Sequence, residues 1–170
     1  MKAFDLASID LQKEASLGAW MQLADPRTRQ PIFADGEVKT PEGDEAHTPV
    51  LDVSLNLLGA ESDTVKMKLD ELEKRRASRE SKRYEDLLEE GEGKKAAYDE
   101  SRSTKDELLD DDAELLATAT IGWRNFAFNG VEKFSYELAV EFYRSREWAI
   151  RQAQFYVANH ANFMKGQESN

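Results

Sequence analysis

Two histidines, a run of three aspartates and two closely spaced glycines are the residues of this 170-residue chain best suited to chemistry. His47 sits in a charged, turn-rich stretch and His160 lies far along the chain. Neither has a second histidine four positions away, the spacing at which a helix turns two imidazoles toward one metal ion. A lone histidine reads as an ordinary surface or part-buried side chain. Asp110-Asp111-Asp112 with Glu114 would attract calcium or magnesium, yet the ligand spacing and central glycine of a calcium loop are missing. Carboxylates near the positive end of a helix dipole explain the run with fewer assumptions. Gly91 and Gly93 are followed by Lys94-Lys95 but preceded by acids, and no strand leads into them, so they do not read as a phosphate loop. With no cysteine there is no disulfide, thiolate metal site or cysteine nucleophile. Serines and threonines are plentiful but lack a credible base and orienting group. The chain is therefore expected to be non-enzymatic, with no catalytic residue, no metal and no cofactor.

Composition narrows the partners. The net charge is -11 and the isoelectric point about 4.7, so phosphate backbones and anionic membrane surfaces are repelled. Neither nucleic acid nor membrane is an expected ligand. No apolar run approaches the ~20 residues that span a bilayer. The opening Met1-Lys2-Ala3-Phe4-Asp5 carries an acid and lacks the apolar core of a secretory signal, so a cytoplasmic protein is expected.

These residues must be positioned by three kinds of sequence. From Phe4 to about Leu58, short apolar runs and period-two patterns broken by turn residues predict strands. Ala19 to Leu23 is one, Asp25-Pro26-Arg27-Thr28 is a turn in which the aspartate bonds backbone ahead of it, and Pro31 to Ala34 is a short returning edge strand. Asp35 to Pro49 reads as an exposed loop. Val50 to Leu57 alternates cleanly, with Leu51, Val53, Leu55 and Leu57 on one face and Asp52, Ser54 and Asn56 on the other.

Between Asp63 and Glu107 more than half the residues are charged and the signs are mixed. Ser62 is the expected N-cap, and Val65, Leu69 and Leu72 form a narrow apolar stripe that thins to Tyr84, Leu87 and Leu88. A solvated, salt-bridged helix that frays is the main expectation. A coiled coil is the lesser one, because the apolar repeat is not sustained. Gly91 and Gly93 predict a break.

Asp106 to Ile121 resumes a helix, buried through Leu108, Leu109, Leu115, Leu116 and Ala119, with Gly122 as its stop. Asn129-Gly130 predicts a tight turn that lays Trp123, Phe126 and Phe128 over the helices. Ser135 is expected to cap a helix burying Leu138 and Phe142. Ser145 is expected to cap a last one, in which a Trp148, Phe155, Asn162 stripe runs beside Ile150, Ala153, Val157 and Ala161. Most of these aromatics read as core. The rest serve as docking anchors, since Trp, Tyr and Arg dominate interface energetics. The expected partner-binding set is Trp123, Phe126, Tyr143, Trp148, Arg151 and Tyr156, with Tyr143, Tyr156 and Arg151 facing outward.

The order of several short motifs resembles a known family. They are Leu23-Ala24-Asp25-Pro26 with Thr28 and Pro31-Ile32, then Leu58-Gly59-Ala60-Glu61-Ser62, then Leu115-Leu116-Ala117 followed by Gly122-Trp123. Phe134-Ser135 with Glu137 and Ala139, Trp148 with Gln152, and Ala161-Asn162-Phe163 complete the series. Together they resemble the tail assembly chaperones of tailed bacteriophages. The likeness covers both ends of the chain but neither the 35–49 loop nor the charged middle. The family usually has an aspartate where this chain has Glu61, and often a shorter helical middle.

What the resemblance implies is a late, non-enzymatic protein of virion morphogenesis in the host cytoplasm. It would bind the long helical tape-measure protein and help the tail-tube protein polymerise around it. The residues themselves suit such a role, with apolar anchors at the ends and a charged body that keeps a complex dispersed. A structural virion protein, either a minor tail or a head-tail joining subunit, is the alternative, and a homo-oligomer stays open. A host-interaction protein whose acidic surface imitates nucleic acid ranks last, because the charges of the middle are mixed.

The expected architecture is α+β: a small N-terminal antiparallel β unit over 1–60, a long charged helical connector over 61–105, a C-terminal helical docking module over 106–165, and a disordered tail over 166–170.

Overall fold

Among the described residues, three strands pair antiparallel in the order β1-β2-β3, and the third comes from the last third of the chain. β1 is Ala19–Gln22, β2 is Ser54–Leu57 and β3 is Thr120–Arg124. The computed structural model describes residues 10–34 and 52–164. The 35–49 loop, Val50, Leu51, His47 and the 166–170 tail lie outside the described residues. Met21 pairs with Leu55 and Leu55 with Trp123, so the alternation along β2 sets the register of both neighbours. Because β3 belongs to the last third, the N-terminal strands close their sheet only with help from the C-terminal segment. Both contribute to one core, which includes Met21, Leu55 and Leu57 together with Leu116, Phe142 and Ile150. The boundaries at 60 and 105 thus divide the sequence and not the core.

The helices are α1 (Leu11–Leu17), α2 (Asp63–Glu89), α3 (Lys94–Ser101), α4 (Lys105–Ala119), α5 (Tyr136–Ser145) and α6 (Glu147–Ala158), followed by one 3-10 turn at His160–Asn162. The fold is the mixed α+β arrangement expected, with a small antiparallel sheet and a long charged helix. α1 departs from the strand pattern expected from Phe4 onward. Leu, Gln, Lys, Glu and Ala favour helix, Asp10 accepts the Lys13 N–H at its N-terminus, and seven residues are too few for a clear period. Pro31 and Phe33 make single antiparallel bridges to Ala24 and Asp52 and not a continuous strand.

The second face of β2 is not solvent-facing as its polar residues suggested. Asp52 and Ser54 are buried. The Asp52 carboxylate accepts the Ser54 hydroxyl and the Arg124 guanidinium, which in turn lies over the Trp20 ring at 4.4 Å. Burial opposes the Asp52 charge, but these two donors outweigh it and hold the carboxyl below its usual range.

α2 is continuous over 27 residues, about 40 Å at 1.5 Å per residue. Ser62 accepts the Val65 N–H as its cap, and Val65 and Leu72 are buried. Leu69, placed on the same stripe by spacing, is exposed. The chain then turns through Gly91, at φ +93°, and doubles back as α3. What seats α2 is charge more than grease. Arg75, Arg79 and Arg83, one helical turn apart, face Glu114, Asp111 and Glu107 of the antiparallel α4. The middle of the chain is therefore the expected long, salt-bridged helix, docked along one face on α4 and folded back with α3 as a hairpin.

The three aspartates divide along the faces of α4. Asp110 meets Arg144 at 2.7 Å, while Asp111, only 2 % exposed, receives Arg75 at 2.7 Å, Arg79 at 3.3 Å and Arg76 at 3.4 Å. Asp112 is pushed up by burial. All three lie past the first turn, so the helix dipole does not account for them. Asp106 and Glu107 occupy that turn, and Glu107 forms a capping box with Thr104.

α4 ends at Ala119 and not at Gly122, because the Ala119 carbonyl accepts the Leu58 N–H at 2.7 Å and the chain is drawn straight into the sheet. Gly122 sits inside β3, opposite Asn56. The Asn129-Gly130 turn forms as predicted, with Phe128 and Val131 exchanging both backbone hydrogen bonds at 3.0 and 2.9 Å. Ser135 caps α5. Ser145 does not cap α6; it closes α5, its hydroxyl donating to the Glu141 and Phe142 carbonyls.

Candidate functional site

α6 runs past the outer edge of β1, and the two leave an open, mostly apolar groove of about 910 Å³. The helix contributes Trp148, Arg151, Phe155 and Tyr156, and the other wall is Met21, Pro26 and Arg29. The helix period explains the split. Ala149, Ile150, Ala153 and Val157 form a complete buried stripe facing α4 and the sheet. A helix of 12 residues needs no second one, so Arg151 and Phe155 are left outside, with Trp148 half-buried against the core beside them. Phe155 is 81 % exposed, the most exposed of the large hydrophobic side chains among the described residues.

The opposite wall is built by the turn after β1. Asp25 accepts the Arg27 and Thr28 N–H groups, its carbonyl accepts the Arg29 N–H at 2.7 Å, and Arg29 takes a positive φ of 60°. The Arg27 guanidinium and backbone N–H bring the Asp25 carboxyl down to about 2.

Two side chains of α6 fasten the groove floor. Gln152 accepts the Ala24 N–H at 3.0 Å and donates to the Ala24 carbonyl at 2.8 Å, and the Tyr156 hydroxyl donates to the Trp20 carbonyl at 3.1 Å. Leu23 donates to Val53, so odd-numbered residues of this segment point to β2 and even-numbered ones to the unpaired edge. Gln152 and Tyr156 therefore occupy backbone groups on which an added strand would have to pair.

The six anchors expected from the sequence divide evenly. Trp148, Arg151 and Tyr156 line the groove together. Trp123, Phe126 and Tyr143 belong to a separate cluster. Trp123 is buried, donates its indole N–H to the Glu132 carbonyl at 2.6 Å and packs on Phe126, Phe134 and Phe142 at centroid distances of 4.9, 5.3 and 6.4 Å. Phe126 is half-buried in that stack and borders a smaller hollow beside Arg124 and Glu132. Tyr143 is wholly buried and not outward-facing. Its hydroxyl lies 2.9 Å from the Thr120 hydroxyl, and burial pushes its pKa upward.

Periodicity puts Phe155 on an apolar stripe that reads as core, and nothing in the sequence marks Met21, Pro26 and Arg29 as its neighbours in the groove. The signal for Phe155 was present: two adjacent stripes on one short helix exceed what one core contact can cover.

Among the described residues, no group of three or more His, Cys, Asp or Glu is arranged to hold a metal ion, and no helix is long and apolar enough to cross a membrane. Fold and site together define an α+β protein with an apolar groove edged by arginine. Compared with known protein families, curated proteins and solved structures, the chain matches none of them significantly.

Proposed function

We propose that this protein is a holding chaperone of phage tail assembly, which covers an apolar helical face of the tape-measure protein in the host cytoplasm until tail-tube subunits polymerise around it. The observation that carries this reading is Phe155, a phenylalanine held in water at 81 % exposure in a groove it shares with Trp148 and Met21. An exposed aromatic in a shaped apolar groove is the pattern of a surface that is covered by a partner. A helix suits the groove, because its walls meet side chains and the adjoining strand edge is already capped by Gln152 and Tyr156. The net charge of -11 supports the role by keeping a complex with a greasy client dispersed.

Co-expression with the tape-measure protein of the same phage tests the reading. The client is expected in the soluble fraction with the wild-type chain and in the pellet with Phe155→Asp, whose far-UV spectrum should match wild type. Equal insolubility with and without the chain would refute it. Abundant copies of the chain in purified virions would favour a structural subunit instead.

A further inference from the structure

We infer that the α6 groove selects an amphipathic helix whose apolar stripe is flanked by carboxylates. This rests on the reading of the groove as a helix-docking site and adds the charge of the partner.

The groove runs against the charge of the molecule as a whole. The chain carries -11, yet among the described residues three charged side chains line the groove, and two of them are the arginines 29 and 151. The third, Asp25, is engaged by the Arg27 guanidinium at 3.0 Å and by backbone N–H groups. Arg151 lies 3.6 Å from Glu147, with its side chain 78 % exposed, so that pairing leaves the guanidinium in water and able to turn to a ligand. Glu147 is also shared with Lys105 at 3.3 Å.

Arg29 and Arg151 stand on opposite walls, one on the turn after β1 and one on α6, with Met21 and Phe155 among the apolar residues of the same groove. A helix lying in it would set its apolar stripe on these and its flanking positions against the two guanidiniums. Arginine presents a planar fork that matches carboxylate geometry. At physiological salt, charges beyond about 8 Å are screened, so the two local arginines govern a docked partner more than the distant acidic surface does.

The test uses the full chain and two fluorescein-labelled helical peptides of one design, with the same Leu and Phe stripe, flanked in one by Glu and in the other by Lys. Fluorescence anisotropy at 0.15 M salt should give about tenfold tighter binding of the Glu-flanked peptide, as expected for two exposed charge contacts switched from attractive to repulsive. The preference should shrink at 1 M salt and invert in the double variant Arg29→Glu, Arg151→Glu. Phe155→Ala should weaken both peptides alike. Equal binding of the two peptides, or tighter binding of the Lys-flanked one, with both lost in Phe155→Ala, overturns the charge selection and leaves the helix-docking reading intact. Failure of both peptides to bind overturns both readings.

Discussion

Replacing Asp111 with Asn should loosen the α2-α3 hairpin without emptying the core. The carboxylate is 2 % exposed and accepts from three arginines, with one contact at 2.7 Å and two near 3.3 to 3.4 Å. Burial works against its charge, but Arg75 and Arg79 outweigh that and keep its carboxyl below the usual range. Asn keeps the volume and removes the charge, leaving guanidiniums that face an amide. Removing one partner of a fully buried pair costs about 3 to 5 kcal/mol. Here the arginine side chains are 25 to 41 % exposed, so water rehydrates them in part and the loss should be about 2 kcal/mol. For a chain of this size that is a fall of about 4 to 8 °C in melting temperature, read from ellipticity at 222 nm. Hydrogen exchange should speed up across 73–89, where α2 has no buried residue, and not in β2. Asp110→Asn, in a pair whose side chains are both about half exposed, is the control and should shift stability by less than about 0.5 kcal/mol. A melting temperature within 1 °C of wild type for Asp111→Asn would refute the view that charge seats the hairpin.

Three further outcomes follow from the same packing. The Arg83 guanidinium and the Thr104 N–H lower Glu107 from 4.5 to about 2, so its contribution is full above pH 4.5 and fades as the pH falls toward 2. Acid titration by circular dichroism should show hairpin helicity lost in that window, with a shallower dependence in Glu107→Gln. Tyr143→Phe removes one buried hydroxyl contact while Thr120 keeps the Leu116 carbonyl as acceptor, so urea denaturation should register a loss of about 0.5 to 1.5 kcal/mol. A Cβ at Gly59 would lie 2.8 Å from the Ala15 Cβ and 3.0 Å from the Phe163 ring. Gly59→Ala should thus destabilise by about 1 to 3 kcal/mol, although alanine stiffens the unfolded chain, and thermal melts check the sign.

Much of the fold was legible because local chemistry decided it. The Ser62 and Ser135 caps, the Asp25 and Asn129-Gly130 turns, the break after α2 and the strand at Leu55 and Leu57 each depend on residues within a few positions of one another, and each formed. The mixed α+β class followed from the same signals. The errors share a different origin. Gly122 reads as a helix stop, but Leu58, more than 60 residues away, ends the helix three residues earlier by bonding the Ala119 carbonyl. Asp52 and Ser54 read as solvent-facing until Arg124 arrives from the third strand.

The site divides the same way. Composition and periodicity alone show that α6 carries a wide apolar face, and the structure brings the expected Trp148, Arg151 and Tyr156 together along one groove. Spacing could not tell which stripe faces inward, because both obey the helix period; the fit of Ala149 and Ala153 against α4 and the sheet settles it and turns Phe155 outward. Nor could spacing reveal that the mixed charges of α2 form a ladder, since Arg75, Arg79 and Arg83 find their carboxylates 24 to 39 residues later in the chain. A side chain's period is a property of its own helix, whereas its burial and its charge partners belong to whatever the rest of the chain brings against it.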